Sequence, residues 1–169
     1  VIWRRGLLVA VLAVTGLALE TSVFGWMSLV GAKPELLLLV TVALAMGEGP
    51  EIGAIAGFFM GLATDLVSEP PHGVTALVFV LVGYAVGRIR SQLQSAGAMT
   101  PMWVVLTATF VGSLALAGIG FLFGQEFTAP LRIVRRAALV SAYNALLTPF
   151  VYPVVKRLAA RVRPKGVVV

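Results

Sequence analysis

Apolar positions run along this chain in long blocks rather than alternating with polar ones. Short clusters break the blocks: GAKP, GEGP, SEPPHG, RSQLQSAG and GQEFTAP. These clusters are rich in residues that end helices and turn the chain. Between them six apolar segments are predicted as helices, at residues 7–30, 35–47, 51–67, 74–87, 101–123 and 137–155. Most approach the ~20 residues that cross a bilayer. The second does not: about thirteen residues at ~1.5 Å each cover ~20 Å of a ~30 Å hydrocarbon core. A helical hairpin of segments two and three that crosses only partly is one arrangement that fits. The other arrangements are a pair spanning thinned bilayer, or one whose ends neighbouring protein covers.

Within the third segment lies GAIAGFFMGLATD, with glycines at 53, 57 and 61 and a carboxylate at 65. Residues four apart on a helix stack on one side. Gly53, Gly57 and Gly61 thus line a smooth groove. In a bilayer hydrophobicity does not drive helices together, so close backbone approach must, and small residues permit it. The groove marks a helix contact, either within the chain or with a partner. Gly83 and Gly87 repeat the spacing on the fourth segment, and the tight SEPPHG turn lets the two grooves face each other. Asp65 lies on roughly the same face. A carboxylate inside a span costs several kcal/mol unless paired or hydrated. Three roles compete for it: a cap on the next turn, a partner for a polar group on another helix, or a proton or ion site. Glu20 is the other carboxylate within an apolar run, and two acids without a basic partner make a poor relay. At the opposite end of the third segment, Pro50 suits a first helical turn, and Glu48 and Glu51 suit the positive end of the dipole.

Composition sharpens this picture. Hydrophobic residues fill 59% of 169 positions, mean hydropathy is +0.99, and only 12% of residues are charged. A soluble domain carries about twice that share of charge. The expected protein is a single integral membrane domain over residues 1–169, all-α and polytopic. No cysteine is present and His72 is the one histidine, so disulfides, thiolate sites and histidine-rich metal sites are not expected. Neither a phosphate loop nor a serine–histidine–acid set can be assembled, so no catalytic residue and no cofactor are expected. Arg4 and Arg5 precede an apolar run, but no small-x-small site follows cleanly, and a cleaved leader is not expected.

The net charge of +6 does not point to nucleic acid, because the bases sit at the ends of apolar runs, where they set topology and meet anionic lipid. With the N-terminus inside, nine basic residues lie inside: Arg4, Arg5, Arg88, Arg90, Lys156, Arg157, Arg161, Arg163 and Lys165. Four lie outside: Lys33, Arg132, Arg135 and Arg136. Both termini are therefore expected in the cytoplasm. Arg132, Arg135 and Arg136 share one helix face. The plainer reading has them snorkelling at the start of the last span; the sharper one makes them an outside docking patch for an acidic partner.

Several motifs, in order, carry a resemblance. KPELLLL (33–39), GFFMGLATDL (57–66), PHG (71–73) and VGYAVGRIR (82–90) resemble the MreD family of rod shape-determining membrane proteins. The family's core run is matched at Gly57, Phe58, Gly61, Leu62, Asp65 and Leu66, and Glu35 stands where the family has aspartate. YNALLTPFVYPVVKRL (143–158) resembles the family's last span, with Asn144, Pro149 and Pro153. Glu20 departs from the uncharged amide expected there. The resemblance implies a six-helix bundle similar to the S components of energy-coupling-factor vitamin transporters. It implies a multi-pass protein of the bacterial cytoplasmic (inner) membrane. It further implies a non-enzymatic scaffold subunit of the elongasome, serving cell shape and peptidoglycan synthesis. The implied partners are MreC, the RodA synthase with its class B penicillin-binding protein, and membrane lipid; self-association stays open. Gly53, Gly57, Gly61, Asp65, Gly83, Gly87 and Asn144 are then the expected packing or partner-interface residues. The alternative is a small-molecule binding subunit of a transporter, which needs an outward-opening polar pocket.

Overall fold

The computed structural model describes residues 2–22, 33–68, 73–94, 97, 99–124 and 129–162. Every regular element among them is helical: α1 (Ile2–Ser22), α2 (Leu36–Glu48), α3 (Pro50–Val67), α4 (Val74–Arg88), α5 (Arg90–Gln94), α6 (Thr100–Leu122) and α7 (Pro130–Val162). The six predicted segments correspond to α1–α4, α6 and α7. The far end of the first, residues 23–30, falls outside the described residues, as do Pro71, His72, Arg163 and Lys165.

Two elements differ from expectation. The RSQLQSAG break contains the short helix α5. The last helix runs for 33 residues, well beyond the apolar stretch at 137–155. Apolarity marks where lipid lies, not where the backbone stops coiling. Arginine, lysine and leucine are good helix formers, so the polar flanks continue the helix at both ends. Pro149 and Pro153 sit inside it, each removing a backbone donor, and in the same region Thr148 Oγ1 donates to the carbonyl of Asn144 at 2.8 Å.

The arrangement is a ring around an axis. α1, α3, α4, α6 and α7 each touch the next, α7 returns to α1, and α2 touches all five. This explains α2's composition. It is apolar on every side, as a helix enclosed on every side must be, and Leu36 to Met46 are all buried. Leu38, Leu39, Val42 and Ala45 have no exposed surface. Burying one such leucine is worth ~1.5–3 kcal/mol relative to water. Inside a bilayer that gain belongs largely to insertion, and packing contacts hold the helix in place.

Turn chemistry sets α3 and α4 antiparallel. Gly49 takes φ 102 between α2 and α3, a conformation that disfavours any side chain. Pro50 then opens α3, with Glu51 in its first turn. Gly73, left-handed at φ 94, delivers the chain into α4. Among the described residues three helices, α3, α6 and α7, are long and apolar enough to cross a membrane.

Candidate functional site

The glycine groove of α3 faces α4, and these two helices share the most extensive interface in the bundle. A methyl placed on Gly57 would lie 2.5 Å from the Phe79 carbonyl carbon and 2.8 Å from the Val80 nitrogen. One on Gly61 would lie 2.7 Å from the Ala76 nitrogen. Gly53 and Gly83 face each other: a methyl on Gly83 would come within 2.7 Å of the Gly53 carbonyl carbon. Gly87 closes the end of the groove opposite Asp65, where its methyl would meet Pro50 at 2.5 Å. The obstacles on both helices are backbone atoms, which cannot swing away as side-chain ends do. The two small-residue stripes are therefore spent on each other, inside the chain.

The groove ends in a cap. Asp65, 3% exposed, turns its carboxylate onto the start of α4. Oδ2 accepts from the backbone N–H of Gly73 at 2.8 Å and of Ala76 at 3.1 Å, and Oδ1 accepts from Thr75 at 3.3 Å. The first N–H groups of a helix have no partner within the helix, and here a carboxylate from the preceding span supplies one. The negative charge also meets the positive end of the α4 dipole.

Glu20 lies against the start of the helix that follows its own. From α1 it points at the backbone N–H groups of Leu36 and Leu37, the first residues of α2. Its Oε2 is buried without a hydrogen-bond partner, as is Oε2 of Glu35 beside it. The charge of Lys33 reaches Glu20, and that of Arg136 reaches Glu35. An acid within an apolar run must face protein; what it faces is the start of the central helix.

Asn144 ties three elements together. Its Oδ1 accepts from the backbone N–H of Glu35 at 3.0 Å, and its Nδ2 donates to the Glu35 carbonyl at 3.0 Å and to Thr109 Oγ1 at 3.1 Å. The side-chain amide thus pairs with Glu35 as a neighbouring peptide would. Asn144 sits near the middle of α7, so the start of α2 lies within the bundle and not at its surface. That accounts for the short second segment. Backbone outside a regular helix is tolerated at membrane depth where protein encloses it. Thr109 carried no visible signal in the sequence, since a lone threonine in an apolar helix usually bonds its own preceding turn.

At the other end, Arg90 Nη1 donates to the carbonyl of Gly47 at 3.4 Å. The start of α5 is thereby fastened to the last turn of α2. Arg132, Arg135 and Arg136 are all exposed on the first two turns of α7, apart from the groove. Among the described residues no group of three metal-ligating side chains forms.

The groove has an outward counterpart. Phe58, Leu62 and Leu66 follow Gly57, Gly61 and Asp65 by one residue each, so they line the adjacent stripe of α3. They are 47%, 38% and 77% exposed, and the Phe58 ring meets Phe59 edge-on at 5.5 Å. A family model described as rod shape-determining protein MreD matches residues 3–161 of the chain. No curated protein and no solved structure matches.

Proposed function

Because the chain belongs to the MreD family of rod shape-determining membrane proteins, we propose that it acts as a non-enzymatic scaffold in the cell-elongation machinery. In this reading it is a multi-pass protein of the bacterial cytoplasmic membrane. Both termini face the cytoplasm, which the distribution of basic residues supports. It binds the transmembrane helix of MreC and helps organise RodA and its penicillin-binding protein. Its bundle shares the layout of energy-coupling-factor S components without their ligand.

One observation carries the choice of surface. The glycines and the aspartate of the core run are occupied by α4 of the same chain. The interleaved residues Phe58, Leu62 and Leu66 of that run stand uncovered on the adjacent stripe of the helix. The partner helix is therefore assigned to this outward stripe. Aromatic and branched side chains at four-residue spacing give a partner helix ridges to pack against.

The test is co-purification from native membranes. Phe58→Ala with Leu66→Ala should cut MreC recovery several-fold while thermal unfolding in detergent stays at the wild-type temperature. Full MreC recovery by this double variant would refute the assignment.

A further inference from the structure

The longest helix reaches past the membrane it crosses. The 33 residues of α7 at ~1.5 Å each form a rod of ~50 Å, against a hydrocarbon core of ~30 Å. Its apolar stretch covers residues 137–155, so residues 130–136 stand at headgroup depth. Arg132, Arg135 and Arg136 lie there, all exposed. Spacings of three and four place them side by side over less than two turns. Among the described residues, no hydrogen bond or ion pair engages the three guanidinium groups. Glu35, whose charge reaches Arg136, has its free oxygen buried inside the bundle. Three like charges at the positive end of a helix dipole thus face outward, and among the described residues no acid pairs with them.

The neighbouring positions decide what that anion is. Leu131 is 79% exposed and Val134 46% exposed, beside the arginines on the same turns. An acidic protein surface complements the guanidinium groups alone. A phospholipid complements both, with phosphate on the arginines and glycerol and upper acyl chain on Leu131 and Val134. Arginine suits the task because its planar fork holds phosphate oxygens in two-point contact. We propose that the first two turns of α7 form a binding site for the phosphodiester headgroup of an anionic phospholipid, in the leaflet at this end of the bundle. The site does not depend on the scaffold reading or on which side of the membrane this end faces.

The test uses the full chain purified in neutral detergent, with phosphatidylglycerol titrated against phosphatidylcholine. Bound lipid is counted by native mass spectrometry. Wild type should retain phosphatidylglycerol preferentially. The triple variant Arg132→Gln, Arg135→Gln, Arg136→Gln should lose about tenfold or more in apparent affinity, since each basic residue near a lipid surface contributes a several-fold factor. The triple lysine variant keeps the charge and should recover most of the loss, which separates lost binding from lost folding. A matched triple at the far end of α7, Lys156→Gln, Arg157→Gln and Arg161→Gln, should leave this component of binding intact. Equal phosphatidylglycerol binding by wild type and the outer triple overturns the proposal. So does displacement of the lipid by millimolar inorganic phosphate, which marks a soluble-anion site. Unchanged lipid binding with loss of a co-purifying protein would give the patch to an acidic partner and also overturn it.

Discussion

Replacing Asp65 by alanine tests the reading of the core motif most directly. The carboxylate takes three backbone N–H groups, from Gly73, Thr75 and Ala76. Losing a helix cap costs ~0.5–2 kcal/mol, and hydrogen bonds to a charged acceptor contribute ~1.5–3 kcal/mol each in water-soluble proteins. Polar contacts between membrane helices average only ~0.6 kcal/mol, because the separated helices find other partners. These N–H groups lie at a helix end, where water can replace part of what is lost. The combined cost is then ~3 kcal/mol, a factor of roughly 10² in the folding equilibrium. Asp65→Asn separates charge from geometry. Its single carbonyl oxygen can keep the bonds to Gly73 and Ala76, so the expected cost falls to ~1 kcal/mol, chiefly the lost charge at the dipole. Reversible unfolding in mixed micelles, titrated with sodium dodecyl sulfate, measures both. Amide exchange at Gly73, Thr75 and Ala76 should quicken in step with the loss. An Asp65→Ala protein within ~0.5 kcal/mol of wild type, with unchanged exchange, would refute the capping argument, since that is the scatter expected of an inert substitution.

Other substitutions probe the remaining contacts by the same unfolding assay. Gly57→Leu drives a side chain into the α4 backbone, and with overpacking costing ~1–3 kcal/mol even where neighbours can shift, it should leave no folded bundle to purify. Gly118→Ala on α6 meets nothing within 4 Å and should be neutral or stabilising by up to ~1 kcal/mol, the helix-propensity gain. Equal outcomes for the two glycines would remove the case for the groove. Asn144→Ala deletes three hydrogen bonds joining α2, α6 and α7 and should cost ~2 kcal/mol, with the Glu35 N–H left unpaired while its carbonyl keeps the bond from the Leu39 N–H. Thr109→Val removes one acceptor and should cost about a third of that. A neutral Asn144→Ala would mean that other groups hold the start of α2.

The helices were legible because each is a long apolar block closed by helix-ending residues, and block ends survive in the fold to within a residue or two for α2, α3, α4 and α6. α7 misled because hydropathy reports the solvent of a helix and not its length. The groove was legible from spacing alone, since four-residue glycine repeats admit few uses in a membrane. Its occupant was not, because spacing carries no information about which helix fills it; the short turn into α4 was the only guide. For Asp65 the sequence left three roles open, and the cap among them depends on where Gly73 puts the first turn of α4. Asn144 was visible as a polar residue in an apolar helix. Its bond to the backbone of Glu35 was not, because that contact spans 109 positions and rests on backbone groups that every residue carries.

The same geometry weighs on the choice between scaffold and carrier. A carrier or vitamin-binding subunit of this size needs polar groups facing a space inside the ring of helices. Here the axis of the ring is filled by α2, whose residues from Leu36 to Met46 are buried against all five neighbours. Emptying it would require withdrawing a helix whose start is held by Asn144 and faced by Glu20. The titratable groups that an ion pathway would recruit have structural duties. Asp65 closes the start of α4, and Glu20 faces the start of α2. Diversity of surface is what remains to the protein: an outward stripe on α3, and arginines at the end of α7. A bundle with a packed axis and distinctive outer faces is suited to holding other membrane helices at fixed positions around itself. That property accords with the scaffold role proposed above.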